Sequence, residues 1–219
     1  MPDSGLATAA DYSEALLTAR RAKSAIALLL ALMLIGQIAT FLLLRYEIIR
    51  LPAAVSVPNL AEGTTQPADT NVRWMDLLHY LTGVMILGGI AFSIVLAFLL
   101  CLIGHIMLVG RLIGVGRVTS ALVTTLVLLV FLFPWQAFLA TDFHFSGVLW
   151  TWDELLRRYN FETAMDSGRW AETVLSWFRF VGAPLVALIL VLMIQLKSNR
   201  GLRMALGEDE MLNEMMRQA

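Results

Sequence analysis

The feature that most limits the fold of this chain is a pair of long apolar runs between Met75 and Ala140, joined by the short segment 110–117. One apolar run precedes this pair and another follows it, and residues 24–44 alone form a stretch of 21 residues without a charge. A helix needs about 20 apolar residues to cross the hydrocarbon core of a bilayer. The sequence therefore predicts an all-α integral membrane protein built as a bundle of four transmembrane helices.

Composition agrees with a membrane protein and excludes an ordinary soluble domain. The chain is 58% hydrophobic and 15% charged, whereas soluble domains average about 45–50% apolar and about 25% charged residues. Lys and Arg lie in small groups beside the apolar runs, which is typical of membrane proteins and not of nucleic-acid binding. Because Cys101 is the only cysteine in the sequence, it predicts neither an intrachain disulfide nor a cysteine-based metal site.

The boundaries of the apolar runs predict a single membrane domain with four spans and one long outer loop. Pro134 should kink or end the third span at the membrane surface. In the loop, Thr151 and Glu154 fit a capping box, and the apolar residues after them predict a short amphipathic helix at the membrane interface. The predicted segments are an N-terminal segment (1–23), four spans (24–44, 77–108, 118–140 and 176–196), the outer loop between spans three and four (141–174) and a C-terminal tail (197–219).

The distribution of charged and aromatic residues predicts the orientation of the spans. Positive residues near span ends accumulate on the cytoplasmic side of a membrane, and eight of them fall on one predicted side: Arg20, Arg21, Lys23, Arg111, Arg117, Lys197, Arg200 and Arg203. The six tryptophans fall on the other side, where indole rings anchor at the membrane interface: Trp74, Trp135, Trp150, Trp152, Trp170 and Trp177. We therefore expect a plasma (inner) membrane protein with both termini in the cytoplasm.

The segment that joins the second and third runs contains three glycines and two arginines. Gly110, Gly114 and Gly116 superficially resemble a phosphate-binding loop, but they match neither nucleotide fingerprint and follow a helix instead of a strand. We interpret the segment as a flexible turn whose Arg111 and Arg117 contact the head groups of anionic lipids.

Two acids and two histidines on the predicted outer side form a candidate metal site. Asp76 and His79 are three residues apart and share a helix face, and Asp142 and His144 follow the outer end of the third run. These four side chains could bind a divalent metal, or the two histidines could hold a haem between helices. Their spacing matches no recognised signature, so our main prediction is a protein without a cofactor.

The central portions of the four runs contain no Asp, Glu, Lys or Arg. Such residues mark proton relays and ion paths, so their absence argues against a pump or a proton-coupled transporter, and no nucleophile–base pattern indicates an enzyme. We predict a non-catalytic subunit or scaffold that acts through helix–helix and outer-face interactions with a protein partner or a second copy. The alternatives are a haem- or metal-binding electron-transfer subunit that uses His79 and His144, and a small oligomeric channel lined by Thr119, Ser120 and Thr124.

Overall fold

The computed structural model describes residues 9–46, 70–133, 135, 147–156 and 170–207. The elements assigned in this part of the chain are helical: α1 (Ala9–Arg45), α2 (Thr70–Val109), α3 (Val115–Leu132), α4 (Trp170–Trp177), a π-helical turn (Phe178–Gly182) and α5 (Ala183–Ala205). A further helical stretch covers 152–156. Four helices are long and apolar enough to cross a membrane: Tyr12–Arg45, Asp76–Val109, Val115–Leu132 and Thr173–Ala205. The prediction of an all-α chain with four long apolar helices is confirmed, whereas the orientation and the interfacial helix stay predictions.

The third helix ends earlier than the apolar run from which it was predicted. α3 stops at Leu132, and Phe133 is extended with φ −65° and ψ 130°. A proline disfavours the α conformation in the residue before it, which explains why α3 ends before residue 134. Residues 136–140 of the predicted span lie outside the described residues.

A π-helical turn separates α4 from α5 directly before a proline. Pro184 has no amide hydrogen, and its ring crowds the carbonyl four residues earlier. In the turn, the amide of Ala183 donates to the carbonyl of Phe178, five residues back. Such a bulge is a known way for a helix to continue past an interruption. The turn also carries Arg179 and the buried Phe180, which make contacts described below.

The chain divides into two compact units, each built from parts of the same helices. The turn unit comprises Met1–Leu32, Ile90–Phe133 and Val186–Ala219, and the tryptophan unit comprises Met33–Gly89 and Pro134–Leu185. The eight Lys and Arg residues predicted for the cytoplasmic side belong to the turn unit, and the six tryptophans belong to the tryptophan unit. The asymmetry of charge and aromatic residues in the sequence therefore coincides with the division of the fold.

The core of the tryptophan unit is an aromatic cluster that ties segment 147–156 to α1, α2 and the π-helical turn. The ring of Phe180 stacks on Phe41 at 5.0 Å and meets Trp150 edge-on at 5.4 Å. Each such ring pair contributes about 0.5–1.5 kcal/mol beyond its buried area. The buried residues of the cluster are Phe41, Leu44, Leu78, Trp150, Trp152, Leu155 and Phe180.

In the turn unit, α3 packs along α5 through glycines. A Cβ atom on Gly114 would lie 2.6 Å from the carbonyl oxygen of Gly201, and one on Gly201 would lie 2.9 Å from Cγ2 of Val118. Further along α3, Thr124 Oγ1 accepts a hydrogen bond from Lys197 Nζ at 3.2 Å. Because contacts move backward along α5 as they advance along α3, the two helices are antiparallel. Small residues allow this close approach of backbones.

Candidate functional site

The most unusual polar residue of the turn unit is Lys23, which the sequence places immediately before the first span. Its side chain is fully buried, and Nζ donates to Ser198 Oγ at 2.6 Å and to Asn199 Oδ1 at 2.7 Å. Gln195 Nε2 in turn donates to the backbone carbonyl of Lys23 at 3.4 Å. Three residues of α5 therefore surround one lysine of α1.

A lysine beside a serine hydroxyl is also the arrangement of a Ser–Lys nucleophile–base pair. Catalysis would require a path for a substrate, but Lys23 and Ser198 are both 0% exposed. A surface depression of about 390 Å³ on α1 includes neither residue; it is lined by Leu17, Arg20, Arg21 and Ser24. The pair is therefore best explained as a structural link between α1 and α5.

The sequence carries a signal for this link that our prediction of a C-terminal tail missed. Gln195, Ser198 and Asn199 have the spacing that places side chains on one face of a helix. We predicted that the tail begins at residue 197, whereas α5 continues to Ala205. The polar face of its last turns supplies the partners of Lys23.

A second polar contact, half-buried, lies in the tryptophan unit. Arg179 Nε donates to Glu154 Oε1 at 3.0 Å, and Nη2 donates to Oε2 at 3.3 Å, while Nη1 donates to the carbonyl of Gly147. The amide of Glu154 donates to Thr151 Oγ1 at 3.3 Å, so Thr151 acts as the predicted cap. The carboxylate that we assigned to the capping box instead binds Arg179. This two-point pair is stronger than a single contact and ties segment 147–156 to the π-helical turn.

The structure places the predicted tryptophan anchors in different surroundings. Trp150 and Trp152 are buried in the aromatic cluster, at 0% and 5% exposure, whereas Trp170 is 77% exposed. Trp150 and Trp152 are thus core residues of their unit. Anchoring at a membrane interface stays a prediction, and Trp170 suits it best. Trp135 and Trp177 are half-buried, and the side chain of Trp74 is outside the described part of the chain.

The structure describes half of the candidate metal site. Asp76 and His79 are exposed on α2, whereas Asp142 and His144 lie outside the described residues. Within the described ranges, no group of three or more His, Cys, Asp or Glu side chains could hold a metal ion. The metal and haem hypotheses therefore stay predictions.

Of the three hydroxyl residues proposed to line a channel, two are exposed on α3 and the third, Thr124, is half-buried beside Lys197. Thr119 and Ser120 are exposed, and Thr119 Oγ1 donates to the carbonyl of Val115 at 3.1 Å. Thr124 Oγ1 donates to the carbonyl of Ser120 at 2.8 Å. A channel lined by these residues would have to form between copies of the chain.

The arginines proposed to contact lipid, Arg111 and Arg117, are both exposed. The turn that carries them is closed by hydrogen bonds from the amide of Arg111 to the carbonyl of Leu108 at 3.2 Å and from the amide of Leu112 to the carbonyl of Met107 at 2.9 Å. These two bonds define a Schellman motif that caps the end of α2. Arg111 occupies its left-handed position, with φ 51°.

Comparison of the chain with protein-family models, with curated proteins and with solved structures found no match.

Proposed function

We propose that this chain is a non-catalytic membrane subunit or scaffold that acts by associating with a protein partner or a second copy of itself. The observation that carries this proposal is how two cations of the described residues are bound, the buried Lys23 and the half-buried Arg179. Lys23 is bound by Ser198 and Asn199, and Arg179 is bound by Glu154. A catalytic or transporting group must be available to a ligand, and these groups are engaged by the protein itself.

The buried hydroxyls of the described helices support the same conclusion. Each bonds to a carbonyl of its own helix, as in Thr40 to Gly36 at 2.9 Å, and the same holds for Thr82, Ser93 and Thr125. In the described part of the chain, the buried side-chain atoms without a partner are the amide of Gln37 and the indole nitrogen of Trp150. Transport would call for a series of accessible polar groups, which these two residues do not form.

An apolar row that begins on α4 and ends at the first residue of the π-helical turn is the surface that we propose for association. Trp170, Val174 and Phe178 follow one another at four-residue spacing, with exposures of 77%, 59% and 61%, and this spacing places them on one helix face. Ser176, on another face of α4, is buried. Exposed aromatic residues in a row are typical of interface hot spots, so we propose that this row makes the outer-face contact.

The test is to extract the protein from its native membrane in mild detergent and to determine which proteins co-purify at fixed stoichiometry. We expect either a constant partner or a homo-oligomer, and we expect the double variant W170A/V174A to weaken that association at least about tenfold, because truncated hot spots commonly have effects of this size. Leu192→Ala, which shortens an exposed apolar residue of α5, is the matched control and should leave the association unchanged.

Two results would contradict this proposal. A monomer without any partner would remove the basis for an association function. Metal or haem bound at fixed stoichiometry, and lost on replacing His79 or His144 by alanine, would favour the electron-transfer alternative instead.

A further inference from the structure

The residue Arg111 occupies a backbone position at which glycine is normally found. It lies two residues after the end of α2, at the position of the Schellman motif where a left-handed conformation is required, and its φ is 51°. α5 is followed by a left-handed residue too, but that residue is Gly207, with φ 69°. Because a side chain in the left-handed region costs free energy that glycine avoids, the arginine at 111 should contribute something that glycine cannot.

The contact between glycines brings one more exposed arginine, Arg200, close to the turn, and Arg117 follows the turn in the chain. Gly114 touches the carbonyl of Gly201, and Arg200 precedes Gly201 in the chain. Arg117 lies on the other side of the same contact, since a Cβ on Gly201 would be 3.1 Å from Cβ of Arg117. Arg111, Arg117 and Arg200 are all exposed. We call these three residues the arginine cluster.

The surroundings of the arginine cluster are strongly basic. The described part of the turn unit holds eight Lys and Arg residues against two acids, Asp11 and Glu14 in the first turns of α1. Arg111 lies between two candidate spans, which end at Val109 and begin again at Val115, and Arg117 and Arg200 lie close to the ends of candidate spans. A turn between two spans should lie at the bilayer surface, at the level of the lipid head groups. In the same turn Ile113 is 73% exposed, which suits contact with acyl chains.

We propose that the arginine cluster binds the phosphodiester head group of an anionic phospholipid. Guanidinium groups donate paired hydrogen bonds to phosphate oxygens, and basic groups at the cytoplasmic ends of spans bind anionic head groups. The cluster supplies three such donors, one in the turn and two on the helices that meet beside it. This site is independent of the association surface on α4.

The test uses the full-length protein in a neutral detergent and measures binding of phosphatidylglycerol and phosphatidylcholine by native mass spectrometry. We expect phosphatidylglycerol to bind at least about tenfold more tightly, because only its head group carries net negative charge. Removing one charge should weaken its binding about fivefold, and removing all three in R111G/R117Q/R200Q should weaken it on the order of a hundredfold.

Arg111→Gly separates a binding role from a structural one. Glycine suits the left-handed φ at this position, so the thermal midpoint of this variant should stay the same or rise while the affinity for phosphatidylglycerol falls. Should the variant fail to fold, Arg117→Gln, at an exposed position with an ordinary backbone, gives the same measurement. Arg21→Gln removes an equal charge from an exposed residue of the same unit outside the cluster and should lower the affinity much less than Arg117→Gln does.

Several outcomes would overturn the proposal. The first is equal affinity for the two lipids. The second is a loss of phosphatidylglycerol affinity in Arg21→Gln as large as in the single variants of the cluster, which would show that net charge alone attracts the lipid. Displacement of the lipid by excess inorganic phosphate would identify a site for free phosphate. The arginine variants could instead keep their lipid affinity and lose stability. If E208Q/D209N/E210Q lowers the stability in the same way, the acidic residues of the tail, and not a lipid, occupy the arginine cluster.

Discussion

At the scale of single residues, Lys23 shows that a charge beside an apolar run need not face the head groups. A lysine near a span end is expected to extend its ammonium group toward water. Here the side chain is buried, and neutral oxygens of Ser198 and Asn199 accept its hydrogen bonds. Because an ammonium group in an apolar interior is costly unless it is hydrogen-bonded, these contacts stabilise the packing of α1 against α5 at this level.

Replacing Lys23 by methionine should therefore destabilise the protein. The change keeps an unbranched chain but leaves the oxygens of Ser198 and Asn199 without their donor, and a buried orphaned group costs about 1–3 kcal/mol. Thermal unfolding in detergent measures the effect. The triple variant K23M/S198A/N199L should recover part of the loss, because removing all partners together leaves no orphaned group.

The matched control for this prediction is Arg21→Met, which removes a charge from an exposed residue two positions earlier. It should change the unfolding midpoint little. Equal midpoints for Lys23→Met and the wild-type protein would show that the contact contributes nothing to stability.

At the scale of elements, the π-helical turn and segment 147–156 hold each other in place. The turn presents Phe180 to the aromatic cluster and Arg179 to Glu154. The side chains of Arg179 and Glu154 are 15% and 29% exposed, so solvent screens their attraction only in part. The position of the segment therefore depends on both apolar packing and one ion pair.

Substituting Glu154 by glutamine should loosen this connection. The amide can accept only one of the two guanidinium bonds and carries no charge, so we expect a loss of about 1 kcal/mol in the free energy of unfolding. Tryptophan fluorescence during thermal unfolding measures this loss, since Trp150 and Trp152 belong to the aromatic cluster that packs on the π-helical turn. Asp153→Asn removes a charge from an exposed neighbour and should have no effect; an equal loss in both variants would refute a specific role of the pair.

At the scale of the whole molecule, the two units differ in surface chemistry. The turn unit carries the eight clustered positive charges, whereas the tryptophan unit carries every tryptophan of the chain. Positive charge favours the cytoplasmic side of a membrane, and indole rings favour an interface. We therefore expect the basic end of the turn unit to face the cytoplasm.

Labelling of single cysteines tests this orientation. In a C101S background, Gly116→Cys adds a side chain that meets nothing within 4 Å, and Asp153→Cys changes an exposed residue. A membrane-impermeant maleimide applied to intact cells should label position 153 and reach position 116 only after permeabilisation. The reverse pattern would show that the positive-inside rule fails for this chain.

Much of the fold could be predicted from the sequence, but less of the candidate sites. The four long helices follow from apolar runs, and the end of α3 follows from Pro134. The contact that brings Arg200 to Arg111 could not be predicted, because nothing near Arg111 in the sequence indicates Arg200. The capping-box pattern pointed to a helix cap for Glu154, because its actual partner Arg179 lies 25 positions away in the sequence.

The sequence by itself determined the number and nature of the helices and the separation of basic from aromatic residues. These properties depend on the length of each apolar run and on backbone rules that act between neighbours in the chain. Only the tertiary structure decided which polar groups are buried and which groups they contact. Lys23 and Ser198 are 175 positions apart, and whether their side chains meet depends on how α1 and α5 pack, which no local pattern specifies.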